Sequence, residues 1–285
     1  MKIIHSVSEL IIFRNSLDPA VKVALVPTMG ALHSGHLALL TEAKEKADFV
    51  IISIFVNPLQ FGQNEDLNKY PRTLEADLEL CKSVNVDLVF IPNPEEIYPE
   101  SQENITKIIP REKVANYLCG KTRPNHFSGV LTIVLKLFNL SLPRLAYFGE
   151  KDFQQLTLIR LMVKDLNLNI QIMPISIIRS DSGLALSSRN EYLNSDELIK
   201  ASQIYSTLIK TAQNIKKVMQ INNALELARG SLTKEGFIID YLEARTENDL
   251  EIIDDINFAD LPFRLFIATY FGANKTRLID NLKVI

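Results

Sequence analysis

The sequence predicts an α/β fold, a helix-covered parallel sheet followed by a smaller, mixed α+β C-terminal domain, on three observations. Short, almost continuously apolar runs alternate with amphipathic, helix-length segments through the first half, as a parallel sheet buried on both faces requires. A segment bearing glycines and histidines, Pro27-Thr28-Met29-Gly30-Ala31-Leu32-His33-Ser34-Gly35-His36, lies between the first run and its helix. After Arg179 the texture changes at the turn cluster Ser180-Asp181-Ser182-Gly183. The pattern is Rossmann-like, and the cluster divides the chain into residues 1–178 and 179–285.

Taken in order, Val23-Ala24-Leu25-Val26 reads as a strand, 36–47 as a helix and 49–56 as a second buried strand. A polar, Pro-containing loop over 57–73 leads to a helix over 74–84 and a strand over 87–91. The alternation continues with a helix over 128–140, a strand over 144–148, a helix over 153–166 and a strand over 170–178. Beyond a polar loop at 184–190, the second domain reads as helix over 195–217 and 222–235, then strand over 237–244, 263–270 and 277–279. Near the start, Ser6 and Glu9 fit a helix capping box better than the apolar core of a signal peptide, so a cytoplasmic protein is expected.

The chain's 285 residues exceed what a single core comfortably organises, in keeping with two domains. An apolar fraction of 47% with 23% charged residues argues for a packed core. Thirty-one bases against 34 acids leave a net charge of −3, which gives no general attraction to nucleic acid or an anionic membrane. The uncharged run of 16 residues between Asp48 and Glu65 is too short and too polar to span a bilayer. Cys81 and Cys119 sit in no CxxC pair and read as reduced thiols.

Chemistry concentrates in three segments. The first is the 27–36 segment, where two of the chain's 4 histidines, His33 and His36, stand at a helix mouth with Gly30 and Gly35. A helix N-terminus beyond a sheet strand offers amides and positive dipole to a phosphate. A plain turn is the simpler reading, and a zinc site lacks its further ligands. The second is Phe148-Gly149-Glu150-Lys151-Asp152-Phe153-Gln154-Gln155, also between strand and helix. Here Lys151 supplies a cation for phosphate, and Asp152 either accepts from ribose hydroxyls or caps the helix. The third is Gly183-Leu184-Ala185-Leu186-Ser187-Ser188-Arg189-Asn190, whose hydroxyls and guanidinium suit a mobile clamp on pyrophosphate, or a plain serine-rich loop. Gln60 and Gln155 suit recognition of a small hydroxy acid without an ion pair, or are surface amides. Asp77 reads as a helix-surface carboxylate, with a metal contact as the alternative.

Together these segments, with IFVNPLQFG, YPRTLEAD, RPNHFSG and RLIDN in the same order, resemble the pantoate-beta-alanine ligase family of the HxGH nucleotidyltransferase-like superfamily. The resemblance spans nearly the whole chain. It implies ATP-dependent condensation of (R)-pantoate with beta-alanine to pantothenate, AMP and pyrophosphate through a pantoyl adenylate, with Mg2+, in a homodimer whose C-terminal domain acts as a lid. It further implies ATP-binding segments at Met29, Gly30, Ala31, Leu32, His33, Ser34, Gly35 and His36, at Gly149, Glu150, Lys151 and Asp152, and at Leu186, Ser187, Ser188 and Arg189. Ile178 corresponds to the backbone contact to adenine. His36 corresponds to a proton donor beside His33, with Lys151 and Arg189 stabilising charge. Gln60 and Gln155 correspond to the pantoate-binding glutamines, Gln60 lying next to the beta-alanine position.

Overall fold

The computed structural model describes residues 1–62, 65–101, 104–218, 220–255 and 262–284; residues 63 and 64 of the polar loop expected over 57–73 lie outside this set. The large domain is a six-stranded, all-parallel sheet. Its strands are β1 (Lys2–Ile4), β2 (Val23–Thr28), β3 (Phe49–Ile54), β4 (Leu88–Phe90), β5 (Leu145–Gly149) and β6 (Gln171–Ile175), in the order β1-β4-β3-β2-β5-β6. Side chains of a strand alternate between faces, and here both faces are buried. Val23 and Leu25 join one core with Phe90, Val130 and Leu137, while Ala24 and Val26 join the opposite core with Leu39, Leu40 and Tyr147.

The helices of this domain are α1 (Val7–Ser16), α2 (Ser34–Lys46), α3 (Leu74–Ser83), α4 (Pro94–Ile97), α5 (Glu112–Ala115), α6 (Leu118–Thr122), α7 (His126–Ser141) and α8 (Phe153–Asp165). Ser6 caps α1, its hydroxyl accepting the Glu9 N–H, which is one of the two bonds of the expected capping box. The expected strand over 170–178 stops at Ile175. Pro174, which has no N–H for a ladder, is accommodated because β6 is an edge strand. Residues 176–178 leave the sheet and turn along the cleft described below.

The C-terminal part holds α9 (Ser195–Ala201), α10 (Gln203–Val218), α11 (Ile221–Lys234) and an antiparallel sheet of β7 (Ile238–Thr246), β8 (Phe263–Phe271) and β9 (Thr276–Lys283). The single helix expected over 195–217 is interrupted at Ser202, whose hydroxyl donates to the Ile199 carbonyl and competes with the helical ladder. Leu265 and Ile267 of β8 face α10 and α11, in one core with Leu208, Ile215 and Leu232. Phe266 and Ala268, on the other face of the strand, pack into the core of the large domain, where the Phe266 ring lies 5.9 Å from that of Phe153. The small sheet is thus clamped directly over the start of α8. No helix among the described residues is long and apolar enough to cross a membrane.

Candidate active site

From β2 the chain moves outward to β3 and β4, then crosses back to β5 and β6 on the other side of β2. Beyond the C-terminal ends of β2 and β5 this reversal opens a crevice, the place where open parallel sheets bind ligands. A cleft of ≈ 1460 Å³, open to solvent, occupies it. It is lined by apolar side chains and by a small set of convergent polar and charged groups, as small-molecule sites are.

His33 and His36 form this cleft's wall at the N-terminus of α2. His33 is the N-cap: its Nδ1 accepts the Gly35 N–H at 3.1 Å, while Nδ1 of His36 accepts the His33 N–H at 3.2 Å, a reciprocal box made of two imidazoles. Because both Nδ1 atoms accept backbone amides, both neutral rings carry their proton on Nε2. Burial, then the nearby Lys151, lower the His33 pKa to about 4; burial, then His33 and Lys151, lower that of His36 to about 3. The rings are therefore uncharged hydrogen-bond donors at neutral pH, facing a helix N-terminus that itself favours an anion.

These shifts fix a direction for acid stability. Folded pKa values below the ordinary 6.5 mean that the unfolded chain binds more protons in between. The stabilisation is complete above 6.5 and is lost as pH falls towards the folded values. A His36→Gln variant is expected to lose less unfolding free energy than the parent between about pH 7 and about pH 4.5, measured by denaturant melts. Equal losses would contradict the buried, neutral imidazole.

The loop before α2 is held from behind. Gly30 has φ +81°, and a Cβ there would stand 3.1 Å from Asp77 Oδ2. The Asp77 carboxylate accepts the N–H groups of Ala31 at 3.0 Å and Leu32 at 2.8 Å, and Thr73 donates to it as well. The surface reading of Asp77 is corrected: it is 2% exposed and both its oxygens accept hydrogen bonds, and among the described residues no cluster of three His, Cys, Asp or Glu side chains includes it as a metal site.

Gln60 ends a 3₁₀ turn after β3 and is held on every side. Asn57 donates to Gln60 Oε1 at 3.0 Å, Tyr98 fixes Asn57 from behind, and Gln60 Nε2 donates to Met29 Sδ at 3.0 Å. His126 closes the turn, its Nδ1 2.7 Å from the Gln60 carbonyl and its Nε2 3.0 Å from Arg123. Gly129 of α7 permits the approach: a Cβ there would sit 2.3 Å from the Leu59 carbonyl oxygen.

Across the cleft, the Gly149–Asp152 segment brings Lys151 in, its Nζ 3.5 Å from Asp152. The adjacent glutamines divide their work. Gln155 faces the cleft, while buried Gln154 accepts the Cys119 N–H and donates to the carbonyls of Val114 and Tyr117. Glu150 turns away to Arg264 of the small sheet at 3.2 Å.

The loop over 186–189 completes the enclosure and is tethered. Ser187 and Asn190 cap its 3₁₀ turn, and Ser188 donates to the Ala31 carbonyl at 3.1 Å. Arg189 grips Asp66 in a two-pronged pair at 2.9 and 2.8 Å, and Arg123 grips the neighbouring Glu65. Burial pulls the Asp66 carboxyl up, but the hydrogen bonds and charge of Arg189 outweigh it and hold it below the ordinary value. Two consecutive carboxylates thus occupy the two guanidinium groups that border the cleft.

The structure brings Met29, His33, Gly35, His36, Gln60, Gly149, Lys151, Asp152, Gln155, Ile178 and residues 186–189 to one cleft. Gly30, Ala31, Leu32, Ser34 and Glu150 are not on its wall; Asp77 and Arg264 draw several of their polar groups elsewhere. Arg123, His126 and Asn57 join the site unanticipated as individual residues, although the RPNHFSG and IFVNPLQFG segments contain them. Among the described residues no three His, Cys, Asp or Glu side chains cluster as a metal site, so a resident all-protein metal cage does not fit.

Comparison with known proteins agrees with this architecture. The family model for pantoate-beta-alanine ligase matches residues 2–283. Pantothenate synthetase of Idiomarina loihiensis is 45% identical over 285 residues, covering 100% of this chain and 98% of the relative. That of Shewanella oneidensis is 48% identical over 262 residues, 92% of this chain and 91% of the relative. The crystal structure of pantothenate synthetase from Thermus thermophilus superposes with a TM-score of 0.91 at 40% identity, covering 100% of this chain and 99% of that one. A Francisella tularensis pantoate-beta-alanine ligase, complexed with beta-gamma ATP and beta-alanine, gives a TM-score of 0.83 at 39% identity, over 100% of this chain and 98% of that one. With a family match over almost its full length and relatives this similar, the chain belongs to the pantoate-beta-alanine ligase family.

Proposed function

We propose that this chain condenses (R)-pantoate with beta-alanine at the expense of ATP, giving pantothenate, AMP and pyrophosphate through an enzyme-bound pantoyl adenylate. The observation that carries this reading is the convergence on one cleft of two neutral imidazoles, Lys151 and Arg189 with the amides of Gln60 and Gln155. A carboxylate is a poor acyl donor. Attack of its oxygen on the α-phosphorus breaks the bond to pyrophosphate and turns a hopeless leaving group into AMP. The amine of beta-alanine then attacks the acyl carbon, AMP departs and a proton is released. No covalent enzyme intermediate is needed, so positioning and stabilisation of developing charge are the protein's main tasks.

In this account the neutral imidazoles donate hydrogen bonds from Nε2 to phosphate oxygens, and Lys151 supplies the full positive charge beside them. Burial keeps the His36 ring uncharged near neutral pH, and the N–H of a neutral imidazole is a very weak acid, so His36 acts as a hydrogen-bond donor and not as a reservoir of a transferable proton. Arg189 exchanges Asp66 for the anionic nucleotide, the Ser187 hydroxyl stands beside it as a further donor, and Ser188 holds the loop against the Ala31 carbonyl. Gln60 and Gln155 bind the hydroxyls and carboxylate of pantoate, over an apolar floor of Val130 and Val134 suited to its two methyl groups. Gln60 also borders the position of beta-alanine, and Ile178 offers backbone to adenine. Mg2+ carried in with ATP would supply further neutralisation of phosphate charge beside Lys151 and Arg189.

The division at 178/179 is proposed on the separate core formed by residues beyond it. The lid role, the homodimer and the cytoplasmic location rest on the family resemblance. Incubation with pantoate, beta-alanine, Mg2+ and ATP tests the reaction by its products. Pantothenate, AMP and pyrophosphate are expected in equal amounts, and release of ADP with phosphate would overturn the adenylate route.

A further inference from the structure

The RLIDN segment, 277–281, is a landmark of the sequence with no part in the chemistry described so far. It lies on β9, where alternate side chains point to opposite sides. Leu278 packs into the small domain's core, and Asp280 holds Arg179 at 2.6 Å, at the start of the turn cluster between the domains. Ile279 and Asn281 point the other way, towards the large domain, where Ile279 packs against its core. Asn281, 2% exposed, spends its whole side chain there. Its Nδ2 donates to the carbonyl of Glu150 at 2.8 Å and of Lys151 at 3.1 Å, and its Oδ1 accepts from Arg264 at 2.8 Å.

We propose that Asn281 is a positioning residue for Lys151: through two hydrogen bonds to the turn that carries the lysine, the C-terminal sheet sets where the ammonium stands in the cleft. The chemistry of the side chain matches the task. Two adjacent carbonyls need two N–H donors from one point, and the arginine behind needs an acceptor, which an uncharged amide supplies at once. An aspartate of the same shape would put a carboxylate against two carbonyl oxygens, and an alanine would leave two buried acceptors and one guanidinium edge unmatched. Arg264 reinforces the same turn through Glu150. The lysine's backbone is therefore tied to the small sheet, so any shift of that sheet is transmitted to the charge that faces the phosphates.

The inference rests on the charge-stabilising role proposed for Lys151, and a double-mutant cycle separates the two. Asn281→Ala alone is expected to lower kcat by roughly ten- to hundredfold, as a misplacement of about 1 Å does, while the KM for pantoate stays within about twofold because Gln60 and Gln155 are untouched. In a Lys151→Ala background the same substitution is expected to change kcat by less than about twofold, since the group it positions is gone. Equal fold-losses in both backgrounds, or a lowered thermal transition with unchanged kcat, would overturn the proposal. An inert Lys151→Ala would refute the lysine's role and with it any positioning by Asn281. If Asn281→Ala does not fold, the isosteric Asn281→Asp beside Arg264 takes its place in the cycle with the same expected pattern.

Discussion

Replacement of His36 by alanine is expected to lower turnover by roughly a hundred- to a thousandfold, the loss that follows removal of one preorganised donor from a developing oxyanion. The ring is well prepared for that task. Its Nδ1 is tied to the His33 N–H, it lies at the N-terminus of α2, and burial keeps it uncharged, so no reorganisation accompanies the donation. The substitution also opens half of the capping box, a cost of about 1 kcal/mol to the fold. The large domain, whose two cores cover opposite faces of β2 to β5, absorbs that amount. Steady-state turnover with a thermal melt checks both parts. A variant within a few-fold of the parent would remove His36 from the chemistry, and a collapsed transition would assign it to the fold alone.

Gly129→Ala is expected to damage a different part of the site while changing no polar group. The added Cβ would stand 2.3 Å from the Leu59 carbonyl oxygen, 2.5 Å from its carbon and 2.8 Å from the Gln60 nitrogen, all of them backbone atoms without rotamers to yield. Either α7 retreats from the sheet or the 3₁₀ turn moves into the cleft. Overpacking of this kind costs about 1–3 kcal/mol. Because His126 and Asn57 bind the turn to α7, its displacement carries Gln60 with it, and the concentration of pantoate needed for half-saturation is expected to rise at least about tenfold. An unchanged melting temperature and unchanged pantoate dependence would contradict the close approach.

The centre of the sheet was legible because β2 to β5 are buried on both faces and therefore appear as almost unbroken apolar runs. The β2–α2 and β5–α8 junctions were legible for a related reason: glycines and charged residues directly after such runs have few other uses. β1, only 3 residues long, and the four- and five-residue helices α4 to α6 are too short to show a period. The break at Ser202 escapes notice because helical periodicity does not register a hydroxyl turning back on its own backbone. At the site, residues that approach a ligand stood out by position, whereas those that hold them did not. Asp77 reaches the 31–32 amides across 45 residues of chain, and Asn281 reaches Lys151 across 130. Such partners become visible only once the chain is folded, and the charge pairs of Arg189 with Asp66 and Arg123 with Glu65 belong to the same class.

The two-step route is tested most directly by isotope exchange. Supplied with pantoate, ATP and Mg2+ but no beta-alanine, the enzyme is expected to move labelled pyrophosphate into ATP, because adenylation is reversible while the adenylate stays bound. Exchange should require pantoate, fail with lactate or acetate in its place, and fall in parallel with overall synthesis in Lys151→Ala. Absence of pantoate-dependent exchange in protein that still makes pantothenate would contradict the adenylate intermediate.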